Sequence, residues 1–305
     1  MSTEYIHFTA AQKEAARQTD LVSLLQSQGE RLKRSGKEYV WRDGSEKVTV
    51  RGNLWFHQYE RIGGDAVDFV RRFYNMDFPQ AVNFLLGNNG GALPQAEPVK
   101  REPPKPFTLP PKNDNMRRVY AYLLNRRGID REVLSAFVHK GMIYESADYH
   151  NAVFVGYDEH GIARHVHKRG TGSESTYKGN AESCDPRYSF HWTGTDSTLY
   201  LFEAPIDMLS FISLHKENWR SHSYAAACCV GDQVLFQMLK ANPNINTVCL
   251  CMDNDAAGQA ANKRISDKLF IQGIKHEVLV PKLKDWNEDL LCDEQEETEC
   301  QTLQL

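Results

Sequence analysis

Residues 248–261 read VCLCMDNDAAGQAA. A short apolar run stops abruptly at Asp253, Asn254 and Asp255, and a small-residue segment follows. Two carboxylates one residue apart repel unless a cation or hydrogen-bond donors hold them. The run before them has the length and composition of a buried strand, and the segment after it reads as the start of a helix. Outward from this point the rhythm repeats. STLYLFE (197–203) is predicted to be a strand and PIDMLSFISLHK (205–216) a helix. SYAAACC (223–229) and DQVLFQMLKA (232–241) form a second such pair. AGQAANKRISDKLF (257–270) is a third helix and KHEVLVP (275–281) a fourth strand. Strand–helix alternation of this kind implies a mainly parallel sheet flanked by helices. In such sheets ligands lie beyond the carboxyl ends of the strands.

Acidic residues gather at those ends. Glu203 closes the first strand, with Asp207 four residues on; Asp253 and Asp255 close the third; Asp285 follows the fourth, in KLKDWNEDL. Hard divalent cations take oxygen ligands, and Mg²⁺ binds through one or two carboxylates plus waters and substrate phosphates. The spacing of Asp253 and Asp255 predicts side chains on one face of an extended chain, with Asn254 turned away. Gly258 lets the next helix start close by. A lone D-x-D most often caps a helix or faces water. An E-x3-D, a D-x-D-x-x-G and a KDWNEDL in this order are far more specific.

LYLFEAPIDMLSF and VCLCMDNDAAGQAA together resemble the Toprim domain shared by bacterial-type primases, topoisomerases and some nucleases. The resemblance implies Glu203, Asp253 and Asp255 as catalytic residues. It implies a metal-binding set of Glu203, Asp207, Asp253, Asp255 and Asp285, the last matching loosely because Asn287 stands at the second acidic position. Ala204 replaces the usual glycine. The middle segment is similar to the primase catalytic core, in YLLNRRGIDREVLSAFVHKGMIY (122–144), in the predicted hairpin NAVFVGYDEHGIARHVHKRG (151–170) and in STYKGNAES (175–183). Lys168, Arg169, Tyr177 and Lys178 are then the nucleotide- or nucleic-acid-binding residues, although Thr176 occupies the expected lysine position. His165, His167, Lys168 and Arg169 read independently as a basic strand end able to hold phosphates.

The N-terminal part, with DLVSLLQSQGERLKRSGKEYVWRD (20–43) and GNLWFHQYERIGGDAVDFVRRFYNMDFPQAV (52–82), resembles the primase zinc ribbon without its ligands. It holds no cysteine, and its histidines are His7 and His57. Tetrahedral zinc needs four such ligands, so no zinc is expected. Trp41, Leu54, Trp55, Phe69 and Phe73 are the expected core. Lys33, Arg34, Lys37, Trp55 and Arg61 could meet single-stranded template by charge and stacking.

The chain has 305 residues and net charge −4, unevenly spread: residues 1–90 sum to +1, 91–196 to +2 and 197–305 to −7. Total charge therefore gives no nucleic-acid footprint, and part of the acidity is the tail DEQEETE. No apolar run approaches the ~20 residues of a membrane span, and the N-terminus lacks a signal-peptide core. Seven cysteines without a regular framework suit buried thiols in a reducing cytoplasm.

The expected organisation is a degenerate zinc-ribbon-like α+β domain (1–87), a Pro/Gly-rich linker (88–115), an α+β primase-core-like domain (116–196), an α/β Toprim domain (197–292) and an acidic tail (293–305). The expected function is metal-dependent primer synthesis on single-stranded DNA by a primase-like nucleotidyltransferase of a mobile element, such as a plasmid. It would use Mg²⁺ or Mn²⁺ and NTPs, with a replicative helicase or relaxase as partner and no membrane. A Toprim nuclease and a non-catalytic DNA-binding accessory of a relaxase or helicase are the alternatives. The chain is short for a topoisomerase, and nothing resembles its gate domain.

Overall fold

The computed structural model describes residues 8–43, 46–60, 62–87, 94–96, 105–228 and 231–293. His7, Arg61, Cys229, Cys300, most of the expected linker before residue 105 and all but Asp293 of the expected tail lie outside them. The chain divides into two compact units, 1–103 and 104–305.

In the first unit, helices α1 (Ala10–Arg17) and α2 (Leu21–Ser27) precede a five-stranded antiparallel meander. Its strands are β1 (Leu32–Ser35), β2 (Glu38–Asp43), β3 (Glu46–Arg51), β4 (Leu54–His57) and β5 (Gly63–Gly64), followed by α3 (Ala66–Phe73) and α4 (Phe78–Leu85). Helix starts are fixed by side chains that satisfy the first orphan N–H groups. Asp20 accepts from Ser23 N at 2.7 Å, and Asp65 and Asp77 each form a reciprocal box with the residue three on. Period-2 alternation sends Trp41, Val48, Val50 and Trp55 to one face, where Trp41 and Trp55 pack on Phe69 and Phe73 with ring centroids 5.2–6.2 Å apart. Fully burying each such side chain contributes roughly 1.5–3 kcal/mol. Trp41, Trp55 and Phe69 are buried, while Leu54 and Phe73 are partly so. Of the two roles expected for Trp55, burial leaves core packing: its ring is 5% exposed and is not presented to a base.

The second unit opens with α5 (Arg117–Tyr120), which runs into a π-helical turn, Ala121–Arg126, closed by Arg127 N donating to Tyr122 O. Gly128, at φ +65°, reverses the chain into α6 (Arg131–His139), whose first N–H groups are capped by Asp130. An antiparallel sheet follows in the order β6 (Ile143–Glu145), β7 (Ala152–Tyr157), β8 (Ala163–Arg169), β9 (Lys178–Asn180). β7 and β8 are the expected hairpin.

The last sheet has the order β10-β12-β11-β13-β14, from β10 (His191–Trp192), β11 (Thr198–Phe202), β12 (Ser223–Ala226), β13 (Thr247–Cys251) and β14 (Lys275–Val278). β11 to β14 pair in parallel, and antiparallel β10 adds an edge that the sequence reading did not foresee. The crossover helices are α7 (Pro205–Leu214), α8 (Gln233–Ala241) and α9 (Ala256–Ile271). Alternation along the strands divides the packing. Phe202, Cys249 and Cys251 join the core under α7, whereas Leu199, Leu201, Val248 and Leu250 join that under α8 and α9. Among the described residues no helix is long and apolar enough to cross a membrane.

Candidate active site

β11 and β13 are hydrogen-bonded neighbours, with Phe202 opposite Cys251, so the residues just past both strands emerge side by side. That register brings Glu203 and Asp253 to one cleft. Asp207 enters it from the first turn of α7 and Asp285 from the loop after β14. Facing these four carboxylates are four cations, Arg127, Arg169, Lys178 and Lys284, with His167 among them and Phe154 and Ile206 as apolar floor.

Electrostatics in the cleft are dominated by burial. Asp207 is 7% exposed, and desolvation, then the charges of Asp253, Asp285 and Glu203, hold its carboxyl well above the usual range. Desolvation likewise pushes Asp253 up to about 7, with Glu203, Asp285 and Asp255 adding repulsion and Lys284 opposing it. Glu203 is raised by desolvation, while Lys178 and Lys284 pull it down. Oδ1 of Asp253 is buried and has no hydrogen-bond partner among the described residues. A buried acceptor without a donor is costly, and it points to a ligand of positive charge.

The surroundings fix these groups in place. Trp286 donates its indole N–H to Cys251 O at 3.0 Å, tying the last loop to β13. Residues 286–293 are helical, and Asp285 Oδ1 accepts from Glu288 N at their start. Asn254 donates its backbone N–H to Lys284 O, so the amide between the two aspartates holds Lys284 beside Asp253. Arg127 donates to Asn287 Oδ1 at 2.9 Å and to Tyr122 Oη at 3.0 Å, and Arg169 reaches the same hydroxyl at 3.4 Å. His167 Nδ1 bonds Asn180 Oδ1 at 2.7 Å, and burial lowers its pKa to about 4, leaving the ring neutral.

Three expectations change. β13 ends at Cys251, and the chain bends through residues 254–255, so Asp253 and Asp255 do not share a face. Asp255 is the N-cap of α9 and accepts from Ala257 N and Gly258 N, both at 2.9 Å, outside the lining of the cleft. Lys168 alternates with His167 and Arg169 and so faces the other side of its sheet, 5.8 Å from the ring centroid of Tyr177; neither residue lines the cleft. Nor is the expected metal set closed: no three His, Cys, Asp or Glu side chains among the described residues are grouped tightly enough to hold an ion by themselves. The donors do suit a hard cation, being all oxygen, with one left orphaned. Gly258 is required sterically, since a Cβ there would lie 2.0 Å from Asp253 O. Arg127 and Lys284 are the two cleft cations absent from the expected site, Lys284 standing directly before Asp285 in KLKDWNEDL and Arg127 far from the acids in sequence. The signal for Arg127 was the arginine pair before Gly128, in a segment whose helix phase could not be foreseen.

The Toprim-like family model matches residues 200–290, which span β11 to β14 and every acid of the cleft. This region is a Toprim-like domain. The domain has the α/β fold expected from sequence, a mainly parallel sheet flanked by helices, and follows an α+β segment. That preceding segment, residues 121–196, matches a family described only as a protein of unknown function, DUF3991. The chain is 25% identical over 274 residues to the uncharacterized protein pXO2-78 of Bacillus anthracis, covering 85% of this chain and 79% of that one. Among solved structures it is similar to the primase fragment of the bacteriophage T7 primase-helicase protein, at 20% identity and a TM-score of 0.43, over 59% of this chain and 73% of that one. It is also similar to the Aquifex aeolicus primase, zinc-binding and RNA polymerase domains, at 16% identity and a TM-score of 0.39, over 96% and 84%.

Proposed function

We propose that the Toprim-like domain and its preceding segment form a metal-dependent nucleotidyltransferase of the primase type, acting on single-stranded DNA with NTPs. The observation that carries this reading is the opposition, in one cleft, of four carboxylates and four cations at the carboxyl ends of β11 and β13. Glu203 and Asp253, with Asp207 and Asp285 behind them, would hold Mg²⁺ or Mn²⁺. The bound ions would neutralise phosphate oxygens and polarise the reacting phosphorus. An incomplete protein ligand set fits that role, because Mg²⁺ keeps waters and takes phosphate oxygens from its substrate. Arg127, Arg169, Lys178 and Lys284 neutralise the triphosphate and orient it against the carboxylates. Asp255 acts through architecture, fixing the start of α9 behind Asp253. A relative named for pXO2 supports a role in transfer or replication of a plasmid, where a helicase or relaxase would be the partner.

Incubating the full chain with single-stranded DNA, labelled NTPs and Mg²⁺ or Mn²⁺ tests the reading. Elongated products are expected, and Asp253→Asn should lower their yield on the order of a hundredfold or more, given what metal-held phosphate chemistry supplies, with an unchanged circular dichroism spectrum. Full activity in that variant sinks the assignment of Asp253. Degraded strands in place of products would make the chain a nuclease using the same carboxylates. DNA binding with neither product would make it an accessory.

A further inference from the structure

Eleven large apolar side chains among the described residues stand exposed, and five of them fall between residues 270 and 283: Phe270, Ile271, Val278, Val280 and Leu283. Phe270 and Ile271, 79% and 82% exposed, precede β14; the other three lie at its far end or just beyond. β14 is the edge of the Toprim-like sheet, with β13 as its one neighbour. Leu279 N donates to Leu250 O, so odd-numbered positions turn their backbone groups toward β13. Alternation then turns those of His276 and Val278 outward. An edge strand bordered by apolar side chains is a template for another strand, and proteins usually blunt it. Here no proline or bulge interrupts β14, and its charges are one lysine and one glutamate, Lys275 and Glu277, both exposed on the same face.

We propose that β14 pairs antiparallel with β14 of a second copy of this chain, about a twofold axis at His276. In that register Lys275 lies opposite Glu277 of the partner subunit, and symmetry repeats the pair, giving two cross-strand ion pairs of the favourable kind. A shift of two residues, which moves the axis to Glu277, would set the two Glu277 carboxylates against each other. Glu277 Oε1 already accepts from the Cys249 thiol at 3.0 Å, which leaves Oε2 for the lysine. Antiparallel pairing also exchanges the strand ends, so the Phe270–Ile271 end of one copy meets the Val278–Leu283 end of the other. Charge and apolar surface are thus both self-complementary under one rotation, which is the reason for choosing a second copy over a foreign strand.

Sedimentation of the full chain across a concentration series tests the pairing. The unaltered chain should form a dimer. Lys275→Glu or Glu277→Lys alone puts like charges opposite each other twice, and should weaken the dimer on the order of tenfold. An equimolar mixture of the two single variants should restore dimers, because each offers the charges the other lacks, and the double exchange should dimerise like the unaltered chain. Compared at concentrations where every variant is monomeric, unfolding of Lys275→Glu should coincide with that of the unaltered chain, since Lys275 is exposed, while Glu277→Lys also gives up the bond from Cys249. A chain that stays monomeric to its solubility limit overturns the proposal. Single variants that dimerise normally, or a mixture that fails to recover, overturn it equally.

Discussion

Asp232 and Asp253 are both acids drawn into the same Toprim-like domain, one before α8 and one after β13. Asp232 is 3% exposed, and its Oδ2 receives Lys268 Nζ at 3.0 Å and Arg264 Nη1 at 3.4 Å, both from α9. The region around it is internally neutralised. Asp253 instead faces Glu203 and Asp285 and feels the more distant charge of Asp255, with Lys284 as the counter-charge that moderates it, and keeps one buried oxygen without a partner among the described residues. The chain answers a buried charge with its own cations where helices pack together. At the carboxyl edge of the sheet it leaves the charge for something from outside to answer. That contrast locates function independently of any family pattern.

The contrast can be broken most severely at Asp232. Asp232→Ala strands two cations against a packed interface and should cost about 2–4 kcal/mol of stability in urea unfolding, somewhat reduced because Lys268 is a third exposed. Gly258→Ala forces a methyl group toward Asp253 O and should cost about 1–3 kcal/mol by moving the first turn of α9. Asp253→Asn should act in the opposite direction. Between pH 4 and 7 the folded chain keeps a proton on Asp253 that the unfolded chain, with its value of 3.8, has already released. Stability therefore falls as pH rises through that window, and above 7 the folded chain carries the whole penalty. Without divalent cations, the asparagine variant should be more stable than the parent by about 1–2 kcal/mol at pH 8 and equal to it at pH 4 or below. Equal unfolding midpoints for the two at pH 8 would remove the distinction between the aspartates. The smallest effect expected is from the cation itself. Saturating Mg²⁺ at pH 8 should raise the melting temperature of the parent by about 2–4 °C and leave Asp253→Asn unmoved.

Much of this was legible in the sequence because it follows from short-range rules. The alternation from residue 197 onward reads as parallel strands and crossover helices, and Glu203 and Asp253 fall at strand ends that the topology makes adjacent. Asp130, Asp20 and Asp65 each stand directly before a helix and accept from its first N–H groups, a short-range role set by neighbours in the chain. What could not be read depends on where a chain bends. Asp255 shares the period-2 spacing of a ligand pair, yet the bend at residues 254–255 converts it to a helix cap. Lys168 belongs to the basic run, yet strand parity turns it from the cleft while Arg169 stays in it. Arg127 approaches from 160 positions away to meet Asn287, a partnership with no local sequence signal.

The π-helical turn at Ala121–Arg126 decides which way two adjacent arginines point. Arg126 donates to the carbonyl oxygens of Gly172 and Ser173, whereas Arg127 goes to Asn287 and Tyr122 and lines the cleft. Such a turn is how a helix absorbs one inserted residue, and turns of this kind are frequent at functional sites. The segment should therefore accept one length change and no other. Loss of a single residue from 121–126 would restore ordinary helix winding with Arg127 still at the cleft. A further inserted residue has no second turn to absorb it and would swing Arg127 by about 100°, disarming the cleft without touching any of its carboxylates.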